Sequence, residues 1–174
     1  MMLTGHFFEC DSWVTLNSAL RDRNRTYALQ KGVREVVYKH AIALEKFREC
    51  VGNRPVRIHS WVRCPELNGE TPGHSSTSEH PKGNASDVDV LDQTPELTFQ
   101  LILEAARAGK IAFNQLIIER VKDRFPGIVD EWVHFSSPDK ILPPEKRGLA
   151  MRMVEGADGQ QHYEVVQKFE FKEA

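Results

Sequence analysis

His80, Asp87 and His134 carry the side chains of this chain best suited to hold a divalent metal, in the strings Ser-Glu-His-Pro-Lys-Gly-Asn-Ala-Ser-Asp (78–87) and Glu-Trp-Val-His-Phe-Ser (131–136). Two imidazoles and one carboxylate are a common ligand set for a catalytic zinc, which keeps its fourth position open for water. Zinc brings the pKa of such a water from about 15.7 in bulk to roughly 7, and a nearby carboxylate can then take its proton and pass it to a leaving amine. Glu131, three residues before His134, is a candidate for that carboxylate. Spacing alone does not establish the site, because a His and an Asp seven residues apart with a distant third His arise often by chance. On spacing alone, His80 reads equally as an exposed loop histidine, Asp87 as a strand-edge acid and His134 as a core histidine.

The elements that must position these groups follow from periodicity and turn chemistry. Apolar residues recur at Leu29, Val33, Val36/Val37, Leu44, Phe47 and Val51, which predicts an amphipathic helix from Leu29 to Val51 with Gly52 as its terminator. Residues 57–62 read as a short strand, and 63–83, rich in Pro, Gly, Ser, Thr and Asn, as a loop. Asp87–Leu91 alternates, with two valines on one face and two aspartates on the other. Thr94-Pro95-Glu96 starts a second helix that runs to about Gly109 and is expected to bury Leu97, Leu101 and Ala105. Gln115–Glu119 and Trp132–Phe135 read as strands that pair antiparallel across a segment containing Pro126-Gly127. Met151–Val154 and Tyr163–Phe171 are read as a polar hairpin around Gly156–Gly159. The expected fold class is α+β: a small, mostly antiparallel sheet flanked by helices, with loops carrying the site.

Composition narrows the partners. The 174 residues suit a single domain, 1–174, and hold 23 basic and 25 acidic side chains for a net charge of −2. No basic stripe stands out, so nucleic acid is not an expected partner. No stretch approaches the roughly 20 apolar residues of a spanning helix, so no membrane insertion is expected. The N-terminal residues lack a secretory leader, so synthesis in the cytoplasm is expected. Cys10, Cys50 and Cys64 are too few and too scattered for a disulfide framework and are expected to be reduced thiols.

In context, the strings are more specific than their spacing. Ser78-x-His80-x-x-Gly83-x-Ala85-x-Asp87, with Trp132-Val133-His134 downstream, resembles the zinc D-Ala-D-Ala carboxypeptidases and related peptidoglycan peptidases that share a fold with the Hedgehog signalling domain. Ser60-Trp61-Val62-Arg63-Cys64-Pro65-Glu66-Leu67-Asn68 is similar to that family's Ser-Gly-Tyr-Arg-Ser/Cys-Pro-x-x-Asn segment, although Trp61-Val62 replaces its Gly-Tyr. His6-Phe7-Phe8 and Leu44-Glu45-Lys46-Phe47-Arg48 also look like its N-terminal half, so the likeness covers about residues 6–136 and leaves 137–174 as a C-terminal extension.

The resemblance implies His80, Asp87 and His134 as zinc ligands, Arg63 as the group that binds a substrate carboxylate or polarises its carbonyl, and Ser78 as a hydrogen-bonding residue near metal or substrate. It favours Glu131 as general base, since better-known members carry an acid at that position. In an unbroken strand, however, positions 131 and 134 point to opposite faces, so Glu131 serves only if a bend or bulge re-aims it. Glu119, closing the neighbouring strand, is the competitor. Bland roles are expected for His6, His40 and His162, a core or pocket-wall place for His59, a substrate contact or none for His74, and a packing role for Trp132. Asp89 is read as an acceptor behind a ligating histidine or as a solvated strand residue. The implied function is a zinc-dependent peptidase, acting as a monomer on a peptidoglycan stem peptide at a bond adjoining a D-amino acid. A phage or prophage lysis enzyme, released to the cell wall through a membrane pore, is the setting this suggests. The competing class is a non-catalytic zinc-binding domain of a phage structural or assembly protein.

Overall fold

In the computed structural model, which describes residues 1–14, 18–71, 77–125, 128–138, 144–156 and 160–171, alternating segments gather into one sheet. Its strands are β1 (Val56–Ser60), β2 (Ala85–Val90), β3 (Gln115–Phe125), β4 (Ile128–Ser136), β5 (Leu149–Glu155) and β6 (Gln161–Lys168), in the order β1-β2-β4-β3-β5-β6. The helices are α1 (Arg21–Ala28), α2 (Lys31–Cys50), α3 (Pro65–Glu70) and α4 (Pro95–Arg107). The α+β class holds. The sheet corrects the expectation of a small, mostly antiparallel one: it has six strands and is mixed, because β5 runs parallel to β3. The expected pairing of β3 with β4 and the C-terminal hairpin β5–β6 are both present, while Pro126-Gly127 and residues 157–159 lie outside the described residues.

The strand period of two divides the sheet into unlike faces. Val88, Val90, Leu116, Ile118, Val133, Phe135 and Ala150 point to one side. There they form a single core with Val37, Ala41, Leu44 and Phe47 of α2 and Phe99, Ile102, Leu103 and Ala106 of α4. Phe47 and Phe135 meet with ring centroids 5.1 Å apart. Emptying such a position to alanine typically costs about 3–5 kcal/mol. The opposite face carries Asp87, His134 and their neighbours.

Helix boundaries depart from the periodicity in informative ways. The long helix begins at Lys31, not Leu29; Leu29 ends α1 and is exposed, and Gly52 terminates α2 at φ +81° as expected. On α4 the Thr94 hydroxyl accepts the Leu97 N–H at 3.2 Å, and Pro95 takes the first position, both as expected. Leu97, however, is exposed. Phe99, Ile102, Leu103 and Ala106 keep the spacing of one stripe and bring an aromatic ring to the sheet; Ala105 is buried beside them as expected, whereas Leu97 lies off that stripe. The 63–83 segment is not all loop: Pro65, with φ already set for a first helical position, opens α3, and a 3-10 turn spans His80–Lys82.

An ion pair fastens the start of α4 to β5. Arg152 donates to both oxygens of Glu96, and its guanidinium lies 4.9 Å from the centroid of Phe99. That hydrogen bonding, led by Arg152, lowers the Glu96 pKa from 4.5 to about 2. A carboxylate with a depressed folded pKa stabilises the fold above its unfolded value, and the contribution is lost as pH falls through the folded one. Arg152→Met should therefore lower Tm near pH 6 by a small, salt-sensitive amount, since Glu96 is half exposed, and the deficit should vanish by about pH 2. Thermal melts across this range test it. A deficit that persists at the acid end would assign the effect to packing on Phe99.

Candidate metal centre

Register brings two of the three expected ligands together. Asp87 on β2 and His134 on β4 are direct partners in an antiparallel pair, so their side chains leave the same face side by side. His80 arrives from the 3-10 turn just before β2. Gly83 lets that turn double back: its φ is +82°, and a Cβ there would lie 2.9 Å from Cγ2 of Val37 on α2. The indole N–H of Trp61 donates to the Gly83 carbonyl at 2.8 Å and pins the return.

The three side chains converge on one point. Nε2 of His80 is 3.3 Å from Nδ1 of His134 and 3.3 Å from Oδ1 of Asp87, and Nδ1 of His134 is 3.0 Å from the same oxygen. Ligand atoms about 2.0–2.1 Å from a tetrahedral zinc are separated by about 3.3 Å, so the triangle has the size that such an ion requires. Nδ1 of His80 lies 2.6 Å from the Trp61 carbonyl. A carbonyl only accepts, so Nδ1 carries the proton and Nε2 presents its lone pair to the cluster, the usual arrangement behind a metal-ligating histidine. All three residues are buried.

The electrostatics agree with a cation-binding role. Burial, the largest influence on His80, lowers its pKa to about 4 and keeps the ring neutral. Burial opposes the charge of Asp87, but the two histidines more than offset it and hold the carboxyl well below its ordinary value. Burial likewise opposes protonation of His134, yet the hydrogen bond and charge of Asp87, with the charge of Glu119, raise its pKa above the usual value. The pocket thus attracts positive charge at the point where the ligand atoms meet.

The two candidate bases separate cleanly. Glu131 pairs with Arg120 across the β3–β4 ladder and receives its Nε–H at 2.7 Å. It shares the parity of Val133 and Phe135, hence the face away from His134. No bulge re-aims it: the ladder runs unbroken from Gln115↔Ser136 to Lys122↔Val129. The bend or bulge that would have turned Glu131 towards the ligands is therefore not present, and its side chain faces away from them. Glu119 lies two residues from Ile117, the partner of His134, and so occupies the site face. Burial, and then the charge of Asp87, raise its pKa, and the charges of His134 and Arg63 reach it as well.

Arg63 sits beside the cluster, its Nη2 3.6 Å from Oδ2 of Asp87. Its position is set by Asn24 of α1, a fully buried amide that accepts the Cys64 N–H at 2.8 Å and donates to the Val62 carbonyl at 2.9 Å. Nε of Arg63 and Nε1 of Trp132 are buried without a hydrogen-bond partner among the described residues. Two orphan donors beside a cluster of this kind are what a site built for a ligand leaves open. The Ser78 hydroxyl accepts the His80 N–H at 3.4 Å, so it shapes the loop.

Other groups support the site from behind. Buried Glu79 accepts from the Asn84 amide at 3.2 Å and the Asn114 amide at 3.4 Å, tying the His80 turn to the chain entering β3. His40 on α2 is fully buried, kept neutral by that burial, and bonded to the hydroxyls of Ser137 and Ser86 at 2.8 and 3.0 Å. Asp89 does not stand behind a ligating histidine; it bonds His59 at 2.6 Å, where β1 carries a bulge. His6 pairs with Glu45, His162 is exposed, and His74 lies outside the described residues. Sequence reasoning missed Asn24, Glu79 and Tyr163, whose hydroxyl donates to Glu119 at 3.3 Å from the far strand β6. Nothing local marks these residues, because their partners are brought to them only by the folded chain.

Residues 19–117 match the family model described as Peptidase M15. The matched span includes Arg63, His80, Asp87 and Glu119's neighbour Ile117, and the sheet adds His134 from beyond it. No curated protein matches the chain.

Gly83→Ala tests how the first ligand is placed. Left-handed strain and the contact with Val37 should lower Tm by roughly 2–10 °C. Zinc retention, read by competition with a chromogenic chelator, should weaken on the order of tenfold. Unchanged melting and retention would mean that the turn does not depend on this glycine.

Proposed function

The chain belongs to the peptidase M15 family, and from that premise we propose that it is a zinc-dependent peptidase that cuts a peptidoglycan stem peptide at a bond adjoining a D-amino acid. The whole chain is read as one peptidase domain, since β5 and β6 extend the sheet that carries the site. The observation that carries the reading is the convergence of His80, Asp87 and His134 on one point, with the Glu119 carboxylate on the same face. Cell-wall lysis by a phage or prophage protein is the setting we propose; its support is the sequence resemblance.

His80 Nε2, His134 Nδ1 and Asp87 Oδ1 would hold the zinc. When bound, the ion supplies a Lewis acid that makes water a competent nucleophile near neutral pH. Glu119 is the general base: its carboxylate takes a proton from the attacking water and delivers it to the leaving amine nitrogen, so that the carboxylate is regenerated at the end of the cycle. Arg63 binds the substrate, its guanidinium offering a planar fork to a terminal carboxylate or to the carbonyl under attack. The indole N–H of Trp132, on the same face, is a further donor for the peptide. Glu131, neutralised by Arg120 on the helix-covered side, serves the fold.

The test is mass spectrometry of purified peptidoglycan digested by the zinc-reconstituted protein, with a chelated control and two variants. Chelator-sensitive peptide fragments are expected, and their termini name the bond. Glu119→Gln should keep its zinc and lose at least ~100-fold in rate. Glu131→Gln should stay within a few-fold of the parent and show its effect in stability. An inactive Glu131→Gln beside an active Glu119→Gln would overturn the assignment of the base. An absence of fragments despite one bound zinc per chain would transfer the site to a binding or assembly role.

A further inference from the structure

The base proposed above is anchored by a residue from outside the matched family region, Tyr163. Among the described residues the one hydrogen bond to the Glu119 side chain is from the Tyr163 hydroxyl, to Oε1 at 3.3 Å. Tyr163 stands on β6, two strands from β3 across β5, and both it and its β5 partner Met153 share the site-face parity. The phenol must therefore lie along the sheet surface to reach the carboxylate. There it also feels the charges of Asp87 and Arg63. Tyr163 is 46% exposed.

An unanchored glutamate on a half-open face samples several rotamers, and only some aim its carboxylate at a water held by the triad. A donor fixed on one oxygen removes most of that freedom and leaves the other oxygen available for the proton. Contrast Glu131, whose carboxylate is paired with the Arg120 guanidinium. The phenol is a weaker clamp, matched to a group that must be held but not neutralised.

Resting on the peptidase reading, we propose that Tyr163 is a positioning residue for Glu119, and that the C-terminal hairpin β5–β6 thereby completes the active site. The hairpin is then a working part of the enzyme, and Tyr163 acts through the carboxylate without touching the reacting bond.

The experiment is Tyr163→Phe, which removes one oxygen and keeps the ring, measured in the zinc-loaded full chain and again in the Glu119→Gln background. The expected result is unchanged zinc stoichiometry and Tm, kcat down on the order of 10-fold or more with KM unchanged, and no further loss when the substitution is added to Glu119→Gln. An equal loss in both backgrounds, a change in KM alone, or full activity would overturn the proposal. A second readout needs no turnover. With tyrosine labelled by carbon-13 at Cζ, the chain has three signals, from Tyr27, Tyr38 and Tyr163, and Tyr163→Phe assigns the last. Glu119→Gln should move the Tyr163 signal and leave the other two in place. A Tyr163 signal indifferent to Glu119→Gln would reject the pairing even if the peptidase reading fails, and a shifted signal in a protein that cuts no peptide would uphold the contact while the function falls.

Discussion

The site depends first on strand register. β2, β4 and β3 lie side by side so that Asp87, His134 and Ile117 form one row across the sheet, with Glu119 one pleat further along. Because the side-chain period is two, this single alignment sends Val88, Val133 and Ile118 into the helix-packed core and the chemistry to the other face. A slip of one residue would drive His134 into the core and bring Val133 to the metal cluster. The apolar core is what forbids that slip, since Phe135 and Val133 would lose their contacts with α2 and α4. Catalytic geometry and core packing are thus one constraint seen from two sides.

Two of the triad sit in the sheet, but His80 does not, and a separate set of contacts holds it. Placing a carboxylate and two imidazoles out of water is costly unless the groups are paired or meet a cation. Here they pair with one another, and polar groups behind them are engaged: Trp61 at both its carbonyl and its indole, Glu79 with two amides, His40 with two hydroxyls. These contacts leave the triad little room to relax when unloaded. The same arrangement serves Arg63, which Asn24 clamps from both flanking peptide groups. Such preorganisation spends ordering entropy during folding and spares it during binding.

Much of this was legible in the chain. The ligand strings, the β3–β4 pairing, the helix start at Thr94-Pro95 and the terminator Gly52 all follow from local chemistry. The period-two argument that places residues 131 and 134 on opposite faces was also available, and the unbroken β3–β4 ladder bears that placement out. What the chain concealed depends on long-range partners. Leu97 looks as buriable as Phe99 until the sheet selects a helix stripe. Asn24 and Glu79 look like surface residues until their amide and peptide partners close around them. Tyr163 sits in a polar stretch with no motif, and only the parallel addition of β5 to β3 carries it to Glu119.

The central claim is that these three side chains form a zinc site without sulfur. X-ray absorption at the zinc edge, on the stoichiometrically loaded protein, tests it most directly. The account predicts a shell of light atoms at about 2.0–2.1 Å, with the outer-shell scattering of two imidazoles, and loss of one imidazole's share in His134→Ala. A sulfur scatterer at about 2.3 Å, which would point to buried Cys64, or a shell untouched by His134→Ala, would contradict it.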